Sequence, residues 1–175
     1  MRQLLLLVAA VVYLALLTAG FYFLKGQHQV SGHVTATATN CHAIGGLPDP
    51  KCTPGAVDSR VTQDNIHSTI CAGGYTATVR PPSAYTDALK AQQIKEYGYA
   101  DTHLADYEED HLIPLELGGN PTDTKNLWPE PRGGAQSASE KDRVENALHQ
   151  KVCAGTMALA VAQSAIATDW QTAGS

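Results

Sequence analysis

Positive charge is scarce in this sequence: 12 Lys and Arg stand against 17 Asp and Glu, for a net charge of -5. That balance excludes a protein that grips nucleic acid tightly over a broad basic face. A polynucleotide partner would have to be held by a few local Lys or Arg contacts or through a metal, and the binding would be salt-sensitive. No C-x-x-C pair occurs among the four cysteines, which disfavours a zinc site built from all four. H-E-x-x-H is absent, as is any Ser, His and Asp order signal, and this disfavours hydrolases acting on non-nucleic substrates. No internal repeat is present. Charge is missing altogether between residues 4 and 24, and so is proline.

That last absence defines the first segment. The apolar run of residues 4–24 is long enough for a helix to cross a bilayer. A basic residue followed by an apolar run is also how a secretory signal begins, and Thr18-Ala19-Gly20 is small enough for cleavage. The run continues past those residues to Leu24, which favours an uncleaved anchor over a cleaved signal. Residues 1–25 are therefore an expected transmembrane or signal helix, and the protein is expected to be membrane-anchored with an exported domain, or secreted if cleaved. Residues 26–40, rich in Gly, Thr, Ser, His and Gln, are an expected linker.

All four cysteines follow the span. An even count in an exported chain suggests two disulfides. Three connectivities are possible. Cys41–Cys52, closing a short Gly/Pro loop, and Cys71–Cys153, stapling an early segment to a late helix, are favoured. Residues 41–175 then form one α+β domain, with 43% apolar residues available for a core.

Within it, residues 75–79 (YTATV) alternate and favour an extended conformation. Residues 84–97 carry helix formers, with Ser83 as cap and Gly98 as stop. Residues 109–117 (EDHLIPLEL) form a strand-like run broken by Pro114. A Gly-Gly-Asn-Pro turn follows, and Asn126-Leu127-Trp128-Pro129 opens a second strand. Residues 139–153 (SEKDRVENALHQKVC) form the best helix, with Ser139 and Asp142 as an expected capping box. Leu159, Ala162, Ile166 and Trp170 make one stripe of a last helix. Trp128 and Trp170 are expected in the core. Tyr97, Tyr99 and Tyr107 either stack on nucleic acid or pack against the hairpin.

The chemistry concentrates in strand, turn, strand, loop, helix. Asp110 and His111 are adjacent, and neighbouring strand residues point to opposite faces, so a shared site requires an irregular strand. The later helix carries Lys141, Glu145 and His149 at i, i+4 and i+8. Glu145 and His149 are spaced to bind one cation together. With Asp110 they would make a mixed oxygen and nitrogen site suited to Mg²⁺, Mn²⁺, Ni²⁺ or Zn²⁺. The plain alternatives are a solvent-facing Glu145 and a surface His149 near a helix C-terminus.

Asp110-His111-Leu112-Ile113-Pro114, with Gly118-Gly119 and Asn126-Leu127, resembles the first two elements of the HNH (ββα-metal) endonuclease motif. The match runs from Glu109 to about Cys153. The longer pattern YEEDHLIPLELGG, NLWPEP, KDRVENALHQKVCAG and AQSAIATDW is similar to a group of exported bacterial HNH-like proteins, with Tyr75-Thr76 and Arg80-Pro81 upstream. The resemblance implies a ββα-metal core and hydrolysis of phosphodiester bonds in nucleic acid, DNA in preference. His111 would be the general base, Asp110 a metal ligand, and Asn126 the residue tying the two strands. Lys141 or Arg143 could hold a flanking phosphate. One departure stands out. The last His of the usual motif follows soon after the Asn, and Ala135-Gln136-Ser137 carries none, so the third ligand is open between Glu145, His149 and another residue. A catalytically inactive HNH frame tethered to the membrane is the alternative.

Overall fold

Two short strands pair because one edge of each is free to. In the computed structural model, which describes residues 40–174, β1 (Tyr107–His111) runs antiparallel to β2 (Leu127–Pro131), with Asp110 opposite Trp128 and Glu108 opposite Glu130. Pro129 and Pro131 have no N–H to give, and such residues are tolerated where that side of the strand faces away from its partner. The expected membrane or signal segment and all but the last residue of the expected linker lie outside the described residues. Among the described residues no helix is long and apolar enough to cross a membrane.

The connection between the strands is held by one amide. Asn126 is fully buried (0% exposed). Its Oδ1 accepts the N–H of Ile113 at 2.9 Å, and its Nδ2 donates to the carbonyls of Ile113 at 2.9 Å and Asn120 at 3.1 Å. The N–H of Ala56 adds a longer contact to the same Oδ1. Gly119 is required here: a Cβ on it would lie 1.7 Å from the Ile113 carbonyl oxygen. The expected strand over residues 109–117 is shorter at its far end and begins earlier. After His111 the chain turns at Pro114 into a single 3-10 turn, Leu115–Leu117, ended by Gly118 at φ 71.

Helices wrap this hairpin. The five residues expected to be extended form a short helix, α1 (Tyr75–Val79). Five alternating residues are too few to distinguish the two periods. Locally, Gly74 at φ 82 turns the chain into a helical start, and the Thr78 hydroxyl bonds back to the Tyr75 carbonyl. Helix α2 (Ser83–Glu96) starts on Ser83 itself, with Pro82 preceding it, and packs on the hairpin through Gln93, whose Nε2 donates to the Leu127 carbonyl at 3.0 Å. Helix α3 (Ala138–Cys153) follows Ser137, one position ahead of the expected start, and neither Ser139 nor Asp142 caps it; the Ser139 hydroxyl instead meets that of Ser137. Helix α4 (Leu159–Ala173) buries Leu159, Ala162, Ile166 and Trp170, the stripe its 3.6-residue period predicts. It is interrupted at Asp169, whose extended backbone restarts the chain while its carboxylate accepts the N–H of Gln171.

The core lies where α3 and α4 meet Val61, Ile66, Ile70, Ile113 and Leu117. A second cluster packs Trp128 against Tyr97 and Cys41, and Tyr99 lies between Tyr97 and Tyr107, so the tyrosines pack rather than pave a groove. Cys41 is bonded to Cys52 and Cys71 to Cys153, the favoured pairing, and no thiolate is left for zinc. The mixed helix and strand architecture with two disulfides is the expected α+β class.

The two bonds close loops of 11 and 82 residues in sequence separation. Loop-closure entropy then assigns about 3 kcal/mol to the first and about 4.5 kcal/mol to the second. Urea unfolding of the paired Cys→Ser variants is expected to show the larger loss for Cys71/Cys153; equal losses would contradict this.

Candidate functional site

Helix α3 places two charged residues inside its buried stripe, and the first is a lysine. Lys141 is 1% exposed. Its Nζ donates to Asp110 Oδ2 at 2.6 Å, to the His111 backbone carbonyl at 2.8 Å, and to Glu145 Oε1 one turn along the helix. An ammonium has three N–H groups, and all three are spent. Burial pulls Lys141 toward the neutral form, but the carboxylates of Asp110, Glu145 and Glu130 outweigh it and hold the ammonium above the usual lysine range.

Glu130 closes the group from the second strand. Paired positions on antiparallel strands share a face, so the register Asp110–Trp128 and Glu108–Glu130 sets Glu130 on the Asp110 side. It is 0% exposed and neither carboxyl oxygen receives a hydrogen bond. Burial, and then the Asp110 carboxylate, push it up to about 10. A proton on Glu130 can be donated to Asp110, a contact the ionised form cannot make. Glu145 is pushed up to about 7 by burial, against the pull of Lys141. Glu109, on the opposite face, is half-buried with both carboxyl oxygens enclosed and unpartnered, and burial raises it to about 8.

His111 points away from this group, as the pleat requires of a neighbour of Asp110. Its Nε2 lies 3.1 Å from the carbonyl of Pro121. A carbonyl only accepts, so Nε2 carries the proton and Nδ1 keeps its lone pair. Burial, followed by weaker effects that include Arg80 and Lys141, lowers His111 below 6.5, leaving the imidazole neutral at neutral pH. Arg80 is exposed, and its charge is among the effects felt by this ring.

The structure thus brings Asp110, Lys141 and Glu145 together, keeps His111 and Asn126 within the same hairpin, and leaves His149 out. Eight residues beyond Lys141 is about 12 Å along a helix and well round its face. There His149 bonds the Ile70 carbonyl at 2.9 Å through Nε2 and lies 3.8 Å from Glu116. Neither expected phosphate-holding residue faces the centre with a free donor: Lys141 is enclosed, and Arg143 is exposed in an ion pair with Glu140. Glu130 and Arg80 were not singled out as site residues from sequence. Glu130's role depends on strand register, and Arg80 stood out only as part of a longer pattern.

A divalent metal is implied by the resemblance. Among the described residues, two sets of three ligand atoms lie within 4.8 Å of one another. One is Cys71, His149 and Cys153, whose sulfurs are disulfide-bonded, and the other is the exposed set Asp101, His103 and Asp106. Neither includes Asp110. At Asp110 the space between carboxylates is taken by the Lys141 ammonium, so the residues do not fit a metal there while Lys141 is in place. Comparison of the chain with protein-family models, curated proteins and solved structures finds no match.

Glu109, Glu130 and Glu145 all sit above the ordinary glutamate range in the folded protein. Each contributes stability that is present below that range and lost as pH rises through its folded value. Asp58, held low by Arg60, and His111, held low by burial, work the other way, the first losing its contribution in acid and the second as pH falls below 6.5, but the three glutamates together outweigh them. The urea midpoint is therefore expected to be higher near pH 5 than near pH 8. Glu130→Gln should raise stability at pH 8 by about 2 kcal/mol and flatten the dependence; a midpoint that climbs from pH 5 to pH 8 would show that these carboxyls are ionised without penalty.

Proposed function

We propose that this protein hydrolyses phosphodiester bonds of nucleic acid, DNA in preference, on an HNH-like hairpin-and-helix frame with His111 as the general base. The observation that carries the reading is the Pro121 carbonyl on His111 Nε2. A histidine whose second nitrogen is anchored by a backbone acceptor presents one defined base, here Nδ1. The lowered proton affinity of the ring keeps that base free at neutral pH.

In the proposed step a water gives its proton to His111 Nδ1 as its oxygen bonds to phosphorus. The bond from phosphorus to the 3′ oxygen breaks, and that oxygen takes up a proton from solvent. Arg80, exposed and close enough to act on the ring electrostatically, is the cation that would meet the phosphate charge. Asp110 acts through Lys141, whose bond to the His111 carbonyl holds the strand end. Because Lys141 stands among the carboxylates, no step passes through a metal. The two disulfides favour an oxidising compartment, and an N-terminal apolar span would tether the domain outside the cytosol.

A second reading, a binding or structural module that keeps the frame without catalysis, is favoured by one observation: the saturated Lys141 has no donor left for substrate. Plasmid cleavage separates the two. His111→Ala is expected to lower the rate by about 100-fold or more, and Arg80→Ala to weaken binding and reduce the salt dependence. The rate should be level above pH 6.5 and decline only in acid, as the base protonates. Unchanged cleavage by the His111→Ala protein would rule out the mechanism, and no cleavage by the wild type in any buffer would favour the module.

A further inference from the structure

Three oxygen-bearing groups converge on one point in the fold, and a side chain occupies that point. Asp110 Oδ2 at 2.6 Å, the His111 carbonyl at 2.8 Å and Glu145 Oε1 all accept from the Lys141 ammonium. The Glu130 carboxyl, wholly buried and without a hydrogen-bond partner, stands behind this set and is not itself paired with the ammonium. The three acceptors come from the end of β1 and one face of α3. A backbone carbonyl with two carboxylates is a partial donor set for a hard divalent cation such as Mg²⁺, Mn²⁺ or Ca²⁺, which water can complete, and it carries no nitrogen or sulfur ligand that would select zinc.

We infer that Lys141 supplies, as a side-chain ammonium, the cation around which this oxygen cage closes, and that the native centre therefore admits no divalent metal. All three N–H groups of the ammonium are spent, so it is seated as a ligand would seat an ion. A divalent ion entering beside it would meet an adjacent positive charge in a poorly screened interior. For the ion to replace it, the ammonium would have to leave a position that is 1% exposed, breaking the join between α3 and the hairpin. The resident charge also differs from a metal in kind. It cannot bind water or a phosphate oxygen, because every N–H already has an acceptor.

This inference concerns the same centre as the proposed hydrolysis, but it is read by ion binding, so either can fail without the other. The probe is Mn²⁺, followed by the electron paramagnetic resonance of the free ion and by thermal melting. The wild-type protein is expected to show no saturable Mn²⁺ uptake up to about 1 mM, the weak end of protein cation sites. Its melting temperature should not move. Lys141→Met empties the cage without changing its oxygens. It should melt well below the wild type in metal-free buffer, take up one Mn²⁺, and recover several degrees when Mn²⁺ or Ca²⁺ is added. Lys141→Gln, which keeps a donor for Asp110, serves the same comparison if the Met variant does not fold. A wild-type protein that binds Mn²⁺ and loses it on Asp110→Asn would overturn the inference. So would a folded Lys141 variant that gains no ion.

Discussion

The join between the hairpin and the helix that follows it is made by one buried ammonium. Lys141 reaches from the first turn of α3 to a side chain and a carbonyl at the end of β1, and to Glu145 on its own helix. Burying an isolated charge costs several kcal/mol, and the cost is recovered only when every donor finds an acceptor. Here every donor does. The helix is therefore fixed along its axis as well as against the sheet, because a shift of one residue would leave three acceptors and one cation unpaired. Glu130 enters the same space without a donor of its own. It is carried as a neutral acid, which limits the negative charge that gathers around the one ammonium; Glu145, beside it, is likewise pushed up by burial.

A two-stranded hairpin has little rigidity of its own. It borrows rigidity from the Asn126 amide, which closes the connection at Ile113 and Asn120, and from Gly119, which lets that closure come within contact distance. The same connection brings the Pro121 carbonyl to His111. One amide thus holds the backbone, and the backbone in turn sets which ring nitrogen of His111 bears its proton. The two faces of β1 are divided in purpose by the pleat: the Asp110 face is sealed against α3, while the His111 face carries the ring with the free nitrogen.

Much of this was legible before any coordinates. The stripe Leu159, Ala162, Ile166 and Trp170 repeats with the helical period and lies buried as such. Residues 139–153 gave a helix within one residue of its true start, and the Asp110-His111 to Asn126 spacing gave a hairpin. What was hidden depended on neighbours far off in sequence. Lys141 and Glu145 were seen to share a helix face, but nothing in the local pattern says that the face is buried, since charges usually mark the solvent side. His149 was placed on that face by counting turns, and the drift over eight residues carries it to Ile70 instead. Glu130, between two prolines, has no periodic signal at all; only the pairing register turns it inward. Residues 75–79 alternate like a strand and fold as a helix, because five residues do not outvote the left-handed glycine ahead of them.

The Cys71–Cys153 bond has a topological consequence. It makes a covalent ring of everything between those positions, and that ring contains α1, α2, both strands, Asn126, His111 and the whole of the Lys141 helix. Exposed segments inside the ring, such as Gly73-Gly74 and the stretch from Arg132 to Gln136, are the places where a protease would nick the chain. A single nick there opens the ring into a line without releasing a fragment. Both sides of the cut stay tied through the sulfurs, and the buried ammonium still has its three acceptors to return to.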